Sequence, residues 1–212
     1  HHVDVLTSDP LCLCRFTRHV RRLHRVPSYG HGPFAWLDAA LAVYEAGAFD
    51  VLFPTQEQVA VLAAAGVGTA VPGFAALAAV QDKVSAFATL TRLGLPQPPA
   101  AVVSSDDDLQ GWRDLPAYVK QPIGTATTGV RKVETVADLA AVDVGAGVLV
   151  QRAVDGPLAM VQSVFDGGEL VASHANLRVR LGANGGASHK RGIDHDQIRA
   201  HLVTLGADLG WH

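Results

Sequence analysis

Gly124 and Gly129, in the stretch YVKQPIGTATTGVRKV (118–133), have the G-x-x-x-x-G spacing of a phosphate-binding P-loop. Val130 and Arg131, however, stand where that motif requires Lys and then Ser or Thr. The glycines also fall between two strand-like runs, AYVK (117–120) and GVRKVE (129–134), whereas a P-loop leads from a strand into a helix whose N-terminus holds phosphate. A P-loop is excluded. What remains is a turn, GTATTG, whose backbone N–H groups and threonine hydroxyls can wrap anionic oxygens. The alternative is a plain hairpin loop rich in Gly and Thr. Lys120 ends the apolar strand before the loop, where a partly buried ammonium requires an anion nearby. Lys83 follows Asp82 in the first turn of a helix, where the macrodipole disfavours a cation unless a bound anion, or Asp82 itself, compensates.

The elements around these residues change character along the chain. VDVL (3–6), HRVP (24–27) and DVLFP (50–54) read as strands, and Phe34, Leu37, Leu41 and Tyr44 share one face of a helix between the last two. A second helix over 57–66 stops at Gly66. This rhythm predicts a small open α/β domain with a parallel sheet over residues 1–80. Residues 81–99 connect: Asp82 caps a helix that turns Ala86, Phe87, Leu90 and Leu93 inward, and GLPQPP (94–99) ends it at a joint between domains. Six strand-like runs follow: AAVV (100–103), AYVK, GVRKVE, GVLVQRAV (147–154), LAMVQSVFD (158–166) and ELVASHANLRVR (169–180), with short helices near 105–112 and 136–141. FDGGEL (165–170) carries hairpin-turn chemistry. This half reads as α+β with a mainly antiparallel sheet, divided into 100–155 and 156–212 and closed by a helix over 194–209.

With 212 residues, 49% of them hydrophobic, the chain can bury a sizeable core. A net charge of -3 and the lack of a long basic run argue against nucleic acid or a membrane surface as partner, and favour small molecules. Cys12 and Cys14 are too close for an ordinary bridge and too few for a zinc site, and read as reduced thiols of a cytoplasmic protein. The chain opens at His1, and its only methionine is Met160, which predicts that the translated product extends beyond these residues. His19 and His24 lack the i, i+4 spacing of a helical metal pair, and the surrounding Arg18, Arg21, Arg22 and Arg25 make a cation unwelcome. The segment SHKRGIDHD (188–196) reads as a disordered connection, with a mobile substrate-side loop as the alternative. Thr55, Gln56 and Glu57 are placed to cap a helix directly after a strand.

Taken in order, four segments resemble the ATP-grasp superfamily: QDKVSAFATLTRLGLPQPP (81–99), YVKQPIGTATTGVRKV, VLVQRAVDG (148–156) and VFDGGELV (164–171). The resemblance runs over nearly the entire chain, with Gln121 inserted between the family's lysine and proline. It implies that the Gly-rich loop is a lid over the ATP triphosphate, contributed by Gly124, Thr125, Ala126, Thr127, Thr128 and Gly129, with Lys83 and Lys120 neutralising the phosphates. It also makes Gln151, Arg152, Ala153 and Val154 the hinge whose backbone meets the adenine edge, so that conformation counts there for more than side chains. Arg178 and Arg180, two apart on a strand and so on one face, are candidates for holding the transferred phosphate or an acidic substrate; a solvated basic edge is the other reading. Arg152 and Leu158 replace glutamates of the family pattern. The resemblance further implies that HHVDVL is the second strand of the N-terminal domain, and that the strands chelating Mg2+ lie beyond LGADLGWH.

The function implied is an ATP-dependent ligase that activates a carboxylate as an acyl phosphate for attack by an amine or similar nucleophile, acting on small molecules and compatible with a homo-oligomer. The alternative is a nucleotide-binding module, or part of a split assembly, without ligase chemistry. A dinucleotide-dependent oxidoreductase finds no G-x-G-x-x-G running from a strand into a helix.

Overall fold

The computed structural model describes residues 2–124, 128–182 and 186–212. The chain divides into two compact units, His1–Phe74 and Ala75–His212.

In the first unit, β1 (Val3–Thr7) and β2 (Val20–Arg25) pair in parallel, from Val3 opposite Val20 to Thr7 opposite Arg25, and a 3-10 turn (Leu13–Phe16) lies between them. Helix α1 (Pro33–Ala46) begins with proline at its first position, where the missing N–H has no intrahelical partner to lose. Its inward stripe differs from the expected one. Trp36, Leu37 and Ala40 are buried while Phe34 is 72% exposed, because the Trp36 indole, packed edge-on against Tyr29, sets the orientation of the helix. Helix α2 (Gln58–Ala64) adds Leu62 to this core, and Gly66 follows at φ 66°.

Two strand expectations in this unit need correction. Only His24 and Arg25 of HRVP are in a strand, which starts at Val20 and runs through consecutive charged residues, tolerated because the Asp4 carboxylate binds both Arg21 and His24. DVLFP forms no strand; Leu52 is held instead by one hydroxyl, since Thr69 Oγ1 accepts its N–H at 2.8 Å and donates to its carbonyl at 2.6 Å. The expected cap of α2 is also reversed: the Gln58 side chain reaches back to accept the Gln56 N–H at 3.0 Å, and Glu57 makes no side-chain cap.

The second unit opens with α3 (Phe74–Gln81) and α4 (Lys83–Arg92). Asp82 caps α4, accepting the N–H groups of Val84 and Ser85 at 2.9 and 2.8 Å. The four apolar residues expected inward on α4 are only half-buried, and the buried position is Thr89, whose hydroxyl donates to Ala79 O at 2.8 Å. Strands β3 (Ala100–Val103), β4 (Ala117–Lys120), β5 (Val130–Val133) and β6 (Val148–Arg152) form an antiparallel sheet in the order β3-β6-β4-β5. Alternation splits it into two faces. One carries Val103, Ala117, Val119, Val133, Val148 and Val150 into a core with Leu109 of α5 (Asp106–Gly111) and Leu139 of α6 (Val136–Leu139). The other carries Lys120, Leu149 and Gln151.

Strands β7 (Ala159–Asp166), β8 (Glu169–Leu181) and β9 (Ala187–Ile193) form a second antiparallel sheet, and α7 (Asp196–Leu209) packs on β8. Gly167 and Gly168, at φ 55° and 92°, make the two-residue turn read from FDGGEL. Strand β9 overturns the disordered reading of 188–196: the polar run pairs with β8, and the pairing satisfies backbone groups that its exposed side chains could not.

Candidate functional site

Two lysines from different elements converge on the neck of the glycine loop. Lys120 is the last residue of β4, and its ammonium donates to Gln151 Oε1 of β6 at 2.6 Å. The Lys83 ammonium donates to the Gly124 carbonyl at 3.3 Å, and its backbone N–H donates to Pro122 O at 3.0 Å, which ties the start of α4 to the loop. Asp82 makes no direct ion pair with Lys83 among the described residues, although the two charges attract. Burial alone would raise its carboxyl pKa, but the bonds from Ser85 and Val84, with Lys83 nearby, hold it below the ordinary value. Among the described residues neither ammonium forms an ion pair. Burial, and then repulsion from Lys83, push the Lys120 pKa below that of an ordinary lysine.

The glycines have a steric reason for their spacing. Gln121 N donates to Gly129 O at 2.7 Å and closes the neck, Gly129 sits at φ 74°, and a Cβ there would lie 3.0 Å from the Gln121 Cβ. At the other end, a Cβ on Gly124 would overlap the Thr128 carbonyl. The loop therefore joins two strands of one sheet, as its flanking sequence required. Thr125, Ala126 and Thr127 lie outside the described residues.

The proposed hinge follows directly from β6. Arg152 N donates to Pro99 O at 2.9 Å and Ala153 N to Pro116 O at 2.8 Å, so those two amides are committed to the protein. Val154, 66% exposed, has an N–H without a partner among the described residues. The Gln151 side chain has a further part here, since it holds the Lys120 ammonium.

Arg178 and Arg180 lie on β8, opposite Lys190 and His189. A bulge between them interrupts strict alternation, so their two-residue spacing no longer fixes a shared face. Sequence reasoning missed Asn176, which is 3% exposed, donates to Gln162 Oε1 at 3.3 Å and leaves its own Oδ1 unpaired. Its signal was a polar residue at an even spacing from Arg178 on a long strand. Among the described residues no group of three or more His, Cys, Asp and Glu side chains comes together to hold a metal ion, so no magnesium ligand is assigned.

Solved structures of other proteins share this fold. Biotin carboxylase in its complex with beta-gamma-ATP from Campylobacter jejuni superposes with a TM-score of 0.71 at 16% identity, over 99% of this chain and 53% of that one. The fold is ATP-grasp. Two further ATP-grasp structures agree. The L-amino acid ligase from Bacillus licheniformis matches with a TM-score of 0.64 and 18% identity over 91% of this chain and 50% of its own. The D-alanine–D-alanine ligase from Bacillus anthracis matches with 0.54 and 14% over 97% of this chain and 77% of its own. The chain thus spans about half the length of the first two. Neither a protein-family model nor a curated protein matches the sequence. Among the described residues, no helix is long and apolar enough to cross a membrane.

Proposed function

We propose that the protein belongs to an ATP-dependent ligase in which ATP phosphorylates a small-molecule carboxylate and an amine then displaces phosphate from the acyl phosphate. The observation that carries this reading is the pair Lys83 and Lys120: two ammonium groups held at one loop neck, one partly desolvated, without an anionic partner among the described residues. Such a pair is stabilised by a polyphosphate. The exposed Val154 N–H is the hinge donor left free for a purine edge, and the loop from Gly124 to Gly129 is the cover for the phosphates. In-line transfer between anions needs their charge shielded and their approach oriented, and the lysines and loop amides supply both. No covalent nucleophile is required. Arg178 and Arg180 are the candidates for the acid or the transferred phosphate. The fold's solved neighbours include an L-amino acid ligase, a D-alanine–D-alanine ligase and a carboxylase domain dimer crystallised with MgADP, which supports small-molecule substrates, Mg2+ in the intact enzyme and a homo-oligomer.

The test is ATP binding by calorimetry, followed by ADP release measured against a panel of carboxylic acids with and without amines. Acid-dependent ADP release that disappears in Lys120→Ala supports the ligase. The second reading is a nucleotide-binding module, or part of a split assembly, without ligase chemistry. It requires ATP binding with no acid-dependent turnover.

A further inference from the structure

Thr7 and Arg25 close the register of β1 and β2 at their carboxyl ends, the edge of an open parallel layer where ligands are commonly held. A cavity of about 520 Å³ runs from this edge along β2 to Val20, lined by Arg15, Arg21, Arg22 and Arg25 together with Thr7 and Asp9. The four guanidinium groups are not equally engaged. Arg21 is committed to Asp4 through two bonds of 2.8 and 3.1 Å. Arg15 donates to Pro10 O at 2.8 Å and lies over the Phe16 ring at 5.6 Å, which positions its charge without neutralising it. Arg22 and Arg25 have no carboxylate partner among the described residues. Asp9, the one carboxylate in the lining, already accepts the Leu11 N–H at 2.8 Å.

Three arginines without a carboxylate partner among the described residues, Arg15, Arg22 and Arg25, therefore line a space of small-molecule size that holds a single carboxylate. Their mutual repulsion is relieved by an oxyanion, and the planar fork of each arginine matches the paired oxygens of phosphate or carboxylate. The chain's net charge of -3 gives an extended polyanion such as nucleic acid little overall attraction. We propose that this groove is a second anion site, built from residues other than the Lys83 and Lys120 pair. It takes a small molecule bearing clustered oxyanions, either phosphate groups or neighbouring carboxylates.

The experiment uses the full chain carrying Lys83→Ala and Lys120→Ala, so that the lysine pair cannot compete, and titrates inorganic pyrophosphate and citrate by calorimetry at fixed ionic strength. Saturable binding is expected, with R22Q/R25Q weakening it at least about tenfold, as the loss of one or two charge-assisted bonds requires. R22K/R25K, which keeps the charge and loses the fork, should fall between. Tighter pyrophosphate identifies a phosphate-bearing ligand, and tighter citrate a polycarboxylate. All three side chains changed or retained as arginine here are surface-accessible, so circular dichroism should show the variants folded. The absence of saturable binding by both probes at millimolar concentration, or equal affinity in R22Q/R25Q, overturns the proposal. ATP binding, read separately in the unmodified protein, tests the ligase reading independently.

Discussion

Gln151 lies diagonally across from Lys120 on the antiparallel strands β6 and β4, and its side-chain carbonyl accepts the Lys120 ammonium at 2.6 Å. The neutral amide holds the charge in place without cancelling it, which keeps the ammonium available to an anion.

Gln151→Glu should convert this contact into an ion pair. Lys120 would then be satisfied before any ligand arrived, and the new carboxylate would repel a triphosphate. ATP affinity should fall about tenfold or more, corresponding to roughly 1.4 kcal/mol, with the fold retained. Calorimetry on the variant checks this; unchanged affinity would place the polyphosphate elsewhere.

Lys120→Met should separate binding from stability. Burial and Lys83 both push the Lys120 pKa down, so the charged form opposes folding, and stability from this group rises as pH increases toward the ordinary lysine value of 10.5. Removing the charge should leave the melting temperature equal or raise it by a few degrees, at about 2–4 °C per kcal/mol for a chain of this size. Loss of a charge-assisted bond to phosphate should meanwhile weaken ATP by about 10- to 100-fold. Scanning calorimetry with and without ATP reads both effects.

Gly129→Ala should destabilise the second unit by about 1–3 kcal/mol, since φ 74° suits glycine and the added methyl would crowd the Gln121 side chain. Urea denaturation gives the magnitude. Gly66→Ala, at φ 66° with open space around it, isolates the backbone part of the effect and should cost less.

Asp4 supplies a pH signature. Hydrogen bonds from Arg21 and then His24 hold its carboxyl at about 2, down from 3.8. A depressed carboxyl stabilises the fold above its unfolded pKa, and this contribution disappears as pH falls through about 2. The difference in melting temperature between the unmodified protein and Asp4→Asn should be largest near neutral pH, shrink below pH 4 and vanish near pH 2. A pH-independent difference would contradict the assignment.

The second unit was legible because local chemistry and tertiary pairing agree there. AAVV and AYVK form strands over the residues read from sequence, and the Asp82 cap and the Gly167–Gly168 turn are set by side chains and φ angles within a few residues. Lys83 and Lys120 stand out by the same logic, since a cation at a helix start and another at the end of an apolar strand each conflict locally with their surroundings. Long-range partners hid the rest. Thr69 replaces a strand's hydrogen bonds at Leu52, Asp4 makes the charged β2 tolerable, and β8 recruits a polar run into β9. Gln151 escaped because its partner lies 31 residues away, across a strand pairing that no periodicity reveals.

Gly206 stands inside α7 with the Phe165 ring pressed where its side chain would be, and Trp211 O accepts the Gly168 N–H at 2.8 Å just beyond the helix. The hairpin tip and the final helix are thus fastened at two points that neither sheet pairing nor helix formation would provide alone. Amide hydrogens of the turn and of the last helical turns should therefore exchange with solvent in one shared opening event rather than fraying separately, making this end of the molecule a single cooperative unit.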